Sequence, residues 1–409
     1  MLEIKPKKFK THSLTGRIDH KLTEQSWKNV KRNKGSPGID GITIKTYHKY
    51  IESNLKELMK ALKTRGTYKC PPLKRVYIPK GNTKELRPLG IPTVATRCAQ
   101  EVIRNLIAPI FETQFHENSF GFRPGRNCHQ AVERVLEYTK QGYKHVVDID
   151  IKGFFDNIPH EIILTMLRAE IADGNILDII ESFLRSGVVE KGRLIPTSKG
   201  VPQGGPISPL LGNVVLNYLD WQLDQKGYRF VRYADDIVIL CKHTDEAKSA
   251  LTLATEILTS MGLELSKEKT KISSLSEGFD FLGFRITSRG VTIRQKSMDK
   301  FEDKIKNVTK RSHNLDSKVF QKINQILRGT VNYFHTKFSN VREYFRMIDK
   351  WIRRRLRSMK YKVIRHTNNF KLKNKHLTKR GLISGWELCR HKINSWYSPS
   401  RGKQVGAAR

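Results

Sequence analysis

The chain has 409 residues, 38% of them hydrophobic, which excludes a disordered polypeptide and leaves room for two or three domains. Its formal net charge is +37, far beyond what solubility requires. Self-repulsion of that size opposes a compact state unless a polyanion relieves it, and nucleic acid is the polyanion that fits. The five cysteines (Cys70, Cys98, Cys128, Cys241 and Cys389) are odd in number and form no CxxC pair. Neither a disulfide framework nor a zinc site on paired cysteines is expected. The opening MLEIKPKKFK lacks the apolar core of a signal peptide. No apolar run approaches the roughly 18 residues of a membrane span. A cytoplasmic, reduced protein with no membrane partner is therefore expected.

In chain order, residues 1–25 are basic and poorly patterned, with a helix expected over 22–32. The loop NKGSPGIDG (33–41) is dense in Gly and Pro, and helix signals return over 43–64. RVYIPK (75–80) reads as a strand, and RPLGIP leads into a helix over about 94–115. SFGFRPGRN (119–127) is a glycine-punctuated loop before a helix over 128–141. HVVDIDIKGFFDNI (145–158) begins as a strand, and residues 160–186 read as helical. RFVRYADDIVILC (229–241) reads as two short strands meeting near Ala234 and Asp235, followed by a helix over 245–261. FDFLGFRIT (279–287) and VTIR (291–294) read as a hairpin around SRG. Apolar residues then recur at helical spacing, as in Ile323, Ile326, Leu327, Val331 and Phe334, and three amphipathic helices are expected over 296–360. Residues 301–409 hold 28 Lys and Arg against 6 Asp and Glu, a net +22, and the basic tail from 361 includes KLKNKHLTKR.

Two aspartates, Asp235 and Asp236, interrupt the strand-like FVRYADDIVIL. Burying an unpaired carboxylate is costly, so the pair either sits exposed in a tight turn or meets a counter-charge. The second aspartate-bearing strand decides for the latter. Asp148 and Asp150 alternate with Val147, Ile149 and Ile151, so both carboxylates share one face. Two such strands side by side suit hard divalent cations. Two Mg²⁺ ions roughly 3.5–4 Å apart stabilise the attacking and leaving oxygens of an in-line phosphoryl displacement. In so basic a chain, that chemistry points to nucleotide polymerisation.

These residues also carry a family resemblance. RYADD resembles the YxDD box of reverse transcriptases, and DIDIKGFFDNIPH their preceding aspartate motif. RVYIPK with LRPLGIP, SFGFRPGRNCHQAV, GVPQGGPISPLLGNVVLNYLD, LELSKEKTKI and FDFLGF follow the family's order. NKGSPGIDG and INQILRGTVNYF narrow the resemblance to the reverse transcriptases of bacterial group II introns, with a maturase-type thumb, over residues 20–360. The resemblance implies an α+β right-hand polymerase, its fingers and palm built on an antiparallel sheet over 1–290. An α-helical thumb/maturase domain over 291–360 and a basic nucleic-acid-binding tail over 361–409 follow.

Roles carry over residue by residue. Asp150 matches the first catalytic aspartate, with the Ile151 backbone in the metal shell; Asp148 is the other candidate on that strand. Asp235 matches the second, and Asp236 completes the pair. Phe155 matches the bulky residue that leaves no room for a 2′-hydroxyl, while Phe154 points the other way, into the core. Lys80 and Arg87 match the cations on the incoming triphosphate. Gln203 with Gly204 and Gly205 matches the loop along the nucleotide pocket. Lys271 matches the lysine near the phosphates, with Lys267 and Lys269 as competitors. Phe281, Leu282 and Gly283 resemble the hairpin that grips the primer end, and Arg123 and Arg126 are the expected template contacts. Arg353, Arg354, Arg355 and Arg357 are expected at RNA, although they cannot all face one way on a helix.

The resemblance implies an RNA-directed DNA polymerase that copies RNA into cDNA by two-metal nucleotidyl transfer. It also implies binding of intron RNA, with roles in splicing and retromobility. Its partners would be group II intron RNA, an RNA template with a DNA primer, target DNA and dNTPs. No paired-cysteine endonuclease module follows the thumb, so the chain is not expected to nick the second DNA strand itself. Two other readings differ in kind: a free-standing reverse transcriptase used in repair or phage defence, and a non-catalytic RNA-binding splicing factor. The latter has no need of an acidic cluster.

Overall fold

The computed structural model describes residues 10–79, 86–201 and 204–397, with the side chains of 392–397 left out. The chain divides into two compact units, residues 1–274 and 275–409. The division falls at 274/275, which places the hairpin around SRG in the second unit.

The first unit opens with α1 (His20–Arg32), α2 (Ile44–Lys49) and α3 (Ile51–Lys63). Next come β1 (Leu73–Pro79), β2 (Leu86–Ile91), α4 (Val94–Glu112), α5 (Cys128–Lys140), β3 (His145–Ile149) and α6 (Phe154–Asn157). α7 (His160–Glu170), α8 (Gly174–Leu184), β4 (Val188–Glu190) and β5 (Arg193–Ile195) lead to α9 (Ser208–Gln225). β6 (Arg229–Tyr233), β7 (Asp236–Cys241), α10 (Thr244–Ser260) and β8 (Lys271–Ser274) complete it. The span 160–186, expected to be helical, holds two helices, α7 and α8. Asp173 caps α8 by accepting from Ile176 N, and it also accepts from the Thr15 backbone at 2.7 Å.

Two four-stranded sheets position the site. The palm sheet runs β6-β7-β3-β8, antiparallel throughout, and the second sheet runs β2-β1-β4-β5. In β3, Val146, Val147 and Ile149 are buried; in β7, Ile237 to Cys241 are buried without a break. Such continuous apolar runs mark strands covered on both faces. Here α10 packs on β3 and β7, while α5 packs on β6 and β7. The polar exceptions cluster where β3 ends and β6 turns into β7.

In the second unit, β9 (Phe279–Phe281), β10 (Phe284–Thr287) and β11 (Gly290–Ile293) form an antiparallel sheet. α11 (Gln295–Val308), α12 (Ser317–Phe334), α13 (Arg342–Tyr361), α14 (Asn368–Lys371), α15 (Asn374–Lys379) and α16 (Gly385–Tyr397) follow. The segment expected as a basic tail is folded in its described part. Leu372, Leu377 and Leu382 join Phe301, Ile323, Leu327, Ile352 and Leu356 in one core. Cys389 of α16 joins a second core with Val331 and Phe345.

Candidate active site and nucleic-acid surface

The register of the palm sheet brings the two aspartate motifs together. Ile149 pairs with Ile237 and Tyr233 with Asp236, so the chain leaves β3 at Asp150 beside the β6–β7 turn that carries Ala234 and Asp235. Burial pushes the Asp235 carboxyl above its ordinary range; the charge of Asp150 adds to this, and Arg87 opposes it. Asp150 and Arg87 therefore both lie within electrostatic reach of Asp235.

The turn is held from behind. Ala234 adopts φ +58°, a conformation costly for a residue with a Cβ. Arg232, fully buried, donates to the Ala234 carbonyl at 3.0 Å and to Asn213 Oδ1 at 2.8 Å. Its remaining donors meet the buried carboxylate of Asp220, with Nε 2.7 Å from Oδ1. Removing one member would leave the other charged and desolvated, so the pair locks in place. Asn213 also donates to the Gly121 carbonyl at 2.8 Å. A Cβ on Gly121 would fall 2.3 Å from the Ala234 amide nitrogen, so only glycine allows the SFGF segment to lie against the catalytic turn. Arg232, Asp220, Asn213 and Gly121 were not singled out from sequence. The arginine in RYADD was the available signal, because an arginine inside an otherwise apolar strand must find a buried carboxylate.

Lys269, not Lys271, faces the first aspartate. Its Nζ lies 3.1 Å from Asp150 Oδ1 and 3.3 Å from Oδ2. The reason is a tight turn, in which Lys269 N and Thr270 N both donate to the Ser266 carbonyl while Ser266 N donates to the Asp150 carbonyl. Lys271 starts β8, paired with Asp148, and is exposed. Ile151 is buried and bridges to Leu265.

The donor chemistry fits a hard cation. Asp150 and Asp235 offer carboxylate oxygens, and the Lys269 ammonium already stands where a cation would neutralise Asp150. Among the described residues no three His, Cys, Asp or Glu side chains converge as a metal site. Mg²⁺ does not require this, since it is commonly held by one or two carboxylates with substrate phosphates and water.

Beside the aspartates lies a cavity of about 410 Å³ lined by Arg87 of β2, Phe155, Gly204 and Gly205. Three expected nucleotide-binding residues thus share one pocket, while Lys80 and Gln203 lie outside the described residues. Phe154 is buried and Phe155 half-buried, but not by strand alternation: both lie on the helix α6, their ring centroids are 5.0 Å apart, and both crowd Gly212 of α9, where a Cβ would fall 3.0 Å from Phe155.

Several expected nucleic-acid contacts turn inward. Arg123 is buried and donates to Glu112 Oε1 at 2.9 Å and to the carbonyls of His116 and Ser119. Arg126, half-buried, ties to the carbonyls of Glu117 and Ser119 and lies over the Phe120 ring. Arg123 is thus spent on shaping the loop, whereas Arg126 commits its Nη1 to it. Phe281 is buried, so its side chain is core and not a primer contact. The Leu282–Gly283 turn has φ +47° and +86°, the pair of positive values that a tight two-residue hairpin needs, and the Leu282 carbonyl accepts from Tyr333 at 2.9 Å.

On α13, Arg357 is buried and donates to the Leu372 carbonyl and Asn374, and Arg355 donates to Thr309 Oγ1 at 2.7 Å and stacks on Trp351. Both are structural, a correction to the expectation of four RNA contacts. Arg353 is half-buried and Arg354 exposed; with Lys350, Arg365 and Lys373 they line a basic cavity of about 890 Å³.

A four-stranded antiparallel sheet that gathers carboxylates beside a pocket with a cation and an aromatic gate is the palm of a nucleic-acid polymerase. Comparison with known proteins agrees. Residues 78–286 match the family described as reverse transcriptase (RNA-dependent DNA polymerase), and residues 298–381 match the group II intron, maturase-specific domain. The chain is 32% identical to Protein YkfC of Escherichia coli K12, over 61% of this chain and 76% of that one. It is also 32% identical to the group II intron-encoded protein LtrA of Lactococcus lactis subsp. cremoris, over 64% of this chain and 54% of LtrA. The match thus spans about half of LtrA's length. Among solved structures, telomerase from Candida albicans aligns over 87% of this chain at 13% identity with a TM-score of 0.43. The chain belongs to the reverse transcriptase family, in the group II intron branch that carries a maturase domain.

Proposed function

We propose that this protein is an RNA-directed DNA polymerase of a group II intron, acting in the cytoplasm, that copies RNA into cDNA and binds intron RNA in support of splicing and retromobility. The observation that carries the reading is the convergence of Asp150 and Asp235 beside the pocket of Arg87, Phe155 and Gly204. Two bound Mg²⁺ ions, held by Asp150 and Asp235 with Asp236 and the Ile151 carbonyl at the rim, would supply activation of the primer 3′-hydroxyl and neutralisation of the leaving pyrophosphate. Arg87 compensates triphosphate charge. Phe155 closes the space a 2′-hydroxyl would need, selecting deoxynucleotides. Lys269 pairs with Asp150, and because a partly exposed pair is weakly held, that carboxylate would remain available to a divalent cation. The Arg232–Asp220 pair fixes the turn, so that little reorganisation accompanies charge development.

On the second unit, Arg353, Arg354, Lys350 and Arg365 offer phosphate contacts to intron RNA or to the template–primer duplex. Target DNA would meet the same kind of basic surface. The reading is tested by primer extension on an RNA template with Mg²⁺, comparing dNTPs with rNTPs. Template-dependent extension that prefers dNTPs is expected, with Phe155→Ala eroding the preference. Failure to extend any primer would contradict it.

A further inference from the structure

A phenylalanine within SFGFRPGRN has no part in the roles given so far. Phe122 stands in the wall of the nucleotide pocket with Arg87, Phe155 and Gly204. Its side chain is 61% exposed, and its backbone sits at φ +57°. A single exposed apolar residue is ordinary on a protein surface. A bulky residue in the left-handed region is not, and it persists only where its surroundings impose it. Here they do. Gly121 before it lies against the Ala234 amide and is tied to Asn213, while Arg123 after it is buried on Glu112. Both neighbours are anchored inward, one of them on the catalytic turn itself, and the phenyl group between them is driven out into the pocket. Among the described residues no packing accounts for that placement, because most of the residue meets water.

We propose that Phe122 is a nucleobase-stacking platform, its ring taking one face of a base in the pair being formed. The inference rests on the polymerase reading above and adds a specificity-neutral contact to it. Every base offers a π-face, so an aromatic platform grips without reading sequence. Its tie to the catalytic turn through Gly121 would hold the stacked base in fixed register with Asp235. The base could come from the incoming dNTP or from the template strand, and the chemistry is the same.

The test is single-nucleotide incorporation by the full chain, with Phe122→Ala, Phe122→Gly and Phe122→Trp beside the unaltered protein. Loss of a base–aromatic stack lowers kcat/KM by between about five- and 150-fold. That loss is expected for Ala and Gly, whereas Trp retains activity. Glycine adopts φ +57° without strain, so Phe122→Gly should melt no lower than the unaltered protein while losing activity. A residue with a purely structural role would instead show activity tracking stability. Repeating the measurement opposite an abasic template position separates the two sources: a deficit that persists assigns the stacked base to the dNTP, and one that vanishes assigns it to the template. The proposal is overturned if Ala and Gly both stay within about twofold of the unaltered protein, or if their losses match a fall in melting temperature. Failure of the unaltered protein to extend any primer would instead count against the polymerase reading itself.

Discussion

Two arginines of the first unit and four of the second illustrate different fates for the same side chain. In the first, Arg232 and Arg123 are buried on Asp220 and Glu112 and act as internal fixtures around the catalytic turn. In the second, where basic residues far outnumber acidic ones, Arg355 and Arg357 are tied to hydroxyl, amide and carbonyl oxygens instead, and Arg353 and Arg354 face a basic cavity. An arginine with a carboxylate partner is neutralised and spent on structure. One satisfied by neutral groups keeps its charge in the field, and one facing solvent can also meet phosphate directly. Net charge alone therefore does not tell which arginines are free to meet a phosphate.

The sharpest way to break this contrast is Arg232→Met. It leaves Asp220 charged and buried, which costs about 3–5 kcal/mol, and it removes the donor to the Ala234 carbonyl. Chemical denaturation should register the loss together with collapse of primer extension. Adding Asp220→Leu should return much of the stability and little of the activity, because an apolar pair fills the space without holding the turn. Recovery of both would mean that the pair only stabilises the fold.

Gly121→Ala comes next. Its Cβ would press on the backbone of Tyr233 and Ala234, so extension should fall by more than about tenfold, with RNA binding intact. On the second unit, Arg353→Ala and Arg354→Ala should each weaken RNA binding across sequences and reduce the slope of log affinity against log salt by about one. Arg357→Ala should instead lower the melting temperature, since it strips buried donors from the Leu372 carbonyl and Asn374.

The smallest effect concerns pH. His160 is buried, its Nε2 2.8 Å from the Gly200 carbonyl, and burial holds its pKa below the ordinary value of about 6.5. Below that value the unfolded chain takes up a proton that the folded chain resists. The stability this neutral histidine supplies is therefore present above about pH 6.5 and lost as pH falls through the lowered folded value. Melting curves from pH 7.5 to 5 should fall less steeply for His160→Gln than for the unaltered protein.

The strands carrying the aspartates were legible because carboxylates interrupt runs of Val and Ile, and the ordered motifs placed Arg87, Phe155 and Gly204 around one pocket. Other parts were hidden for physical reasons. α9 is buried on nearly every side, so it shows no amphipathic period. α14 and α15 are short, and the core leucines around them, Leu372, Leu377 and Leu382, stand five residues apart in a lysine-rich stretch, a spacing that reads as tail. Lys269 was weighed against Lys271, but only the turn at Ser266 decides which ammonium folds back onto Asp150. The inward fate of Arg123 depends on Glu112, eleven residues away across a helix end, a partner no local pattern reveals.

The most direct test is Asp235→Asn, measured for primer extension on an RNA template and for RNA affinity in the same buffer. Residues that merely orient metal ligands cost 10–100-fold when removed, so loss of a ligand should exceed about a hundredfold in extension and leave RNA affinity within about twofold. Extension surviving at the unaltered rate would contradict the assignment of this turn as the catalytic centre.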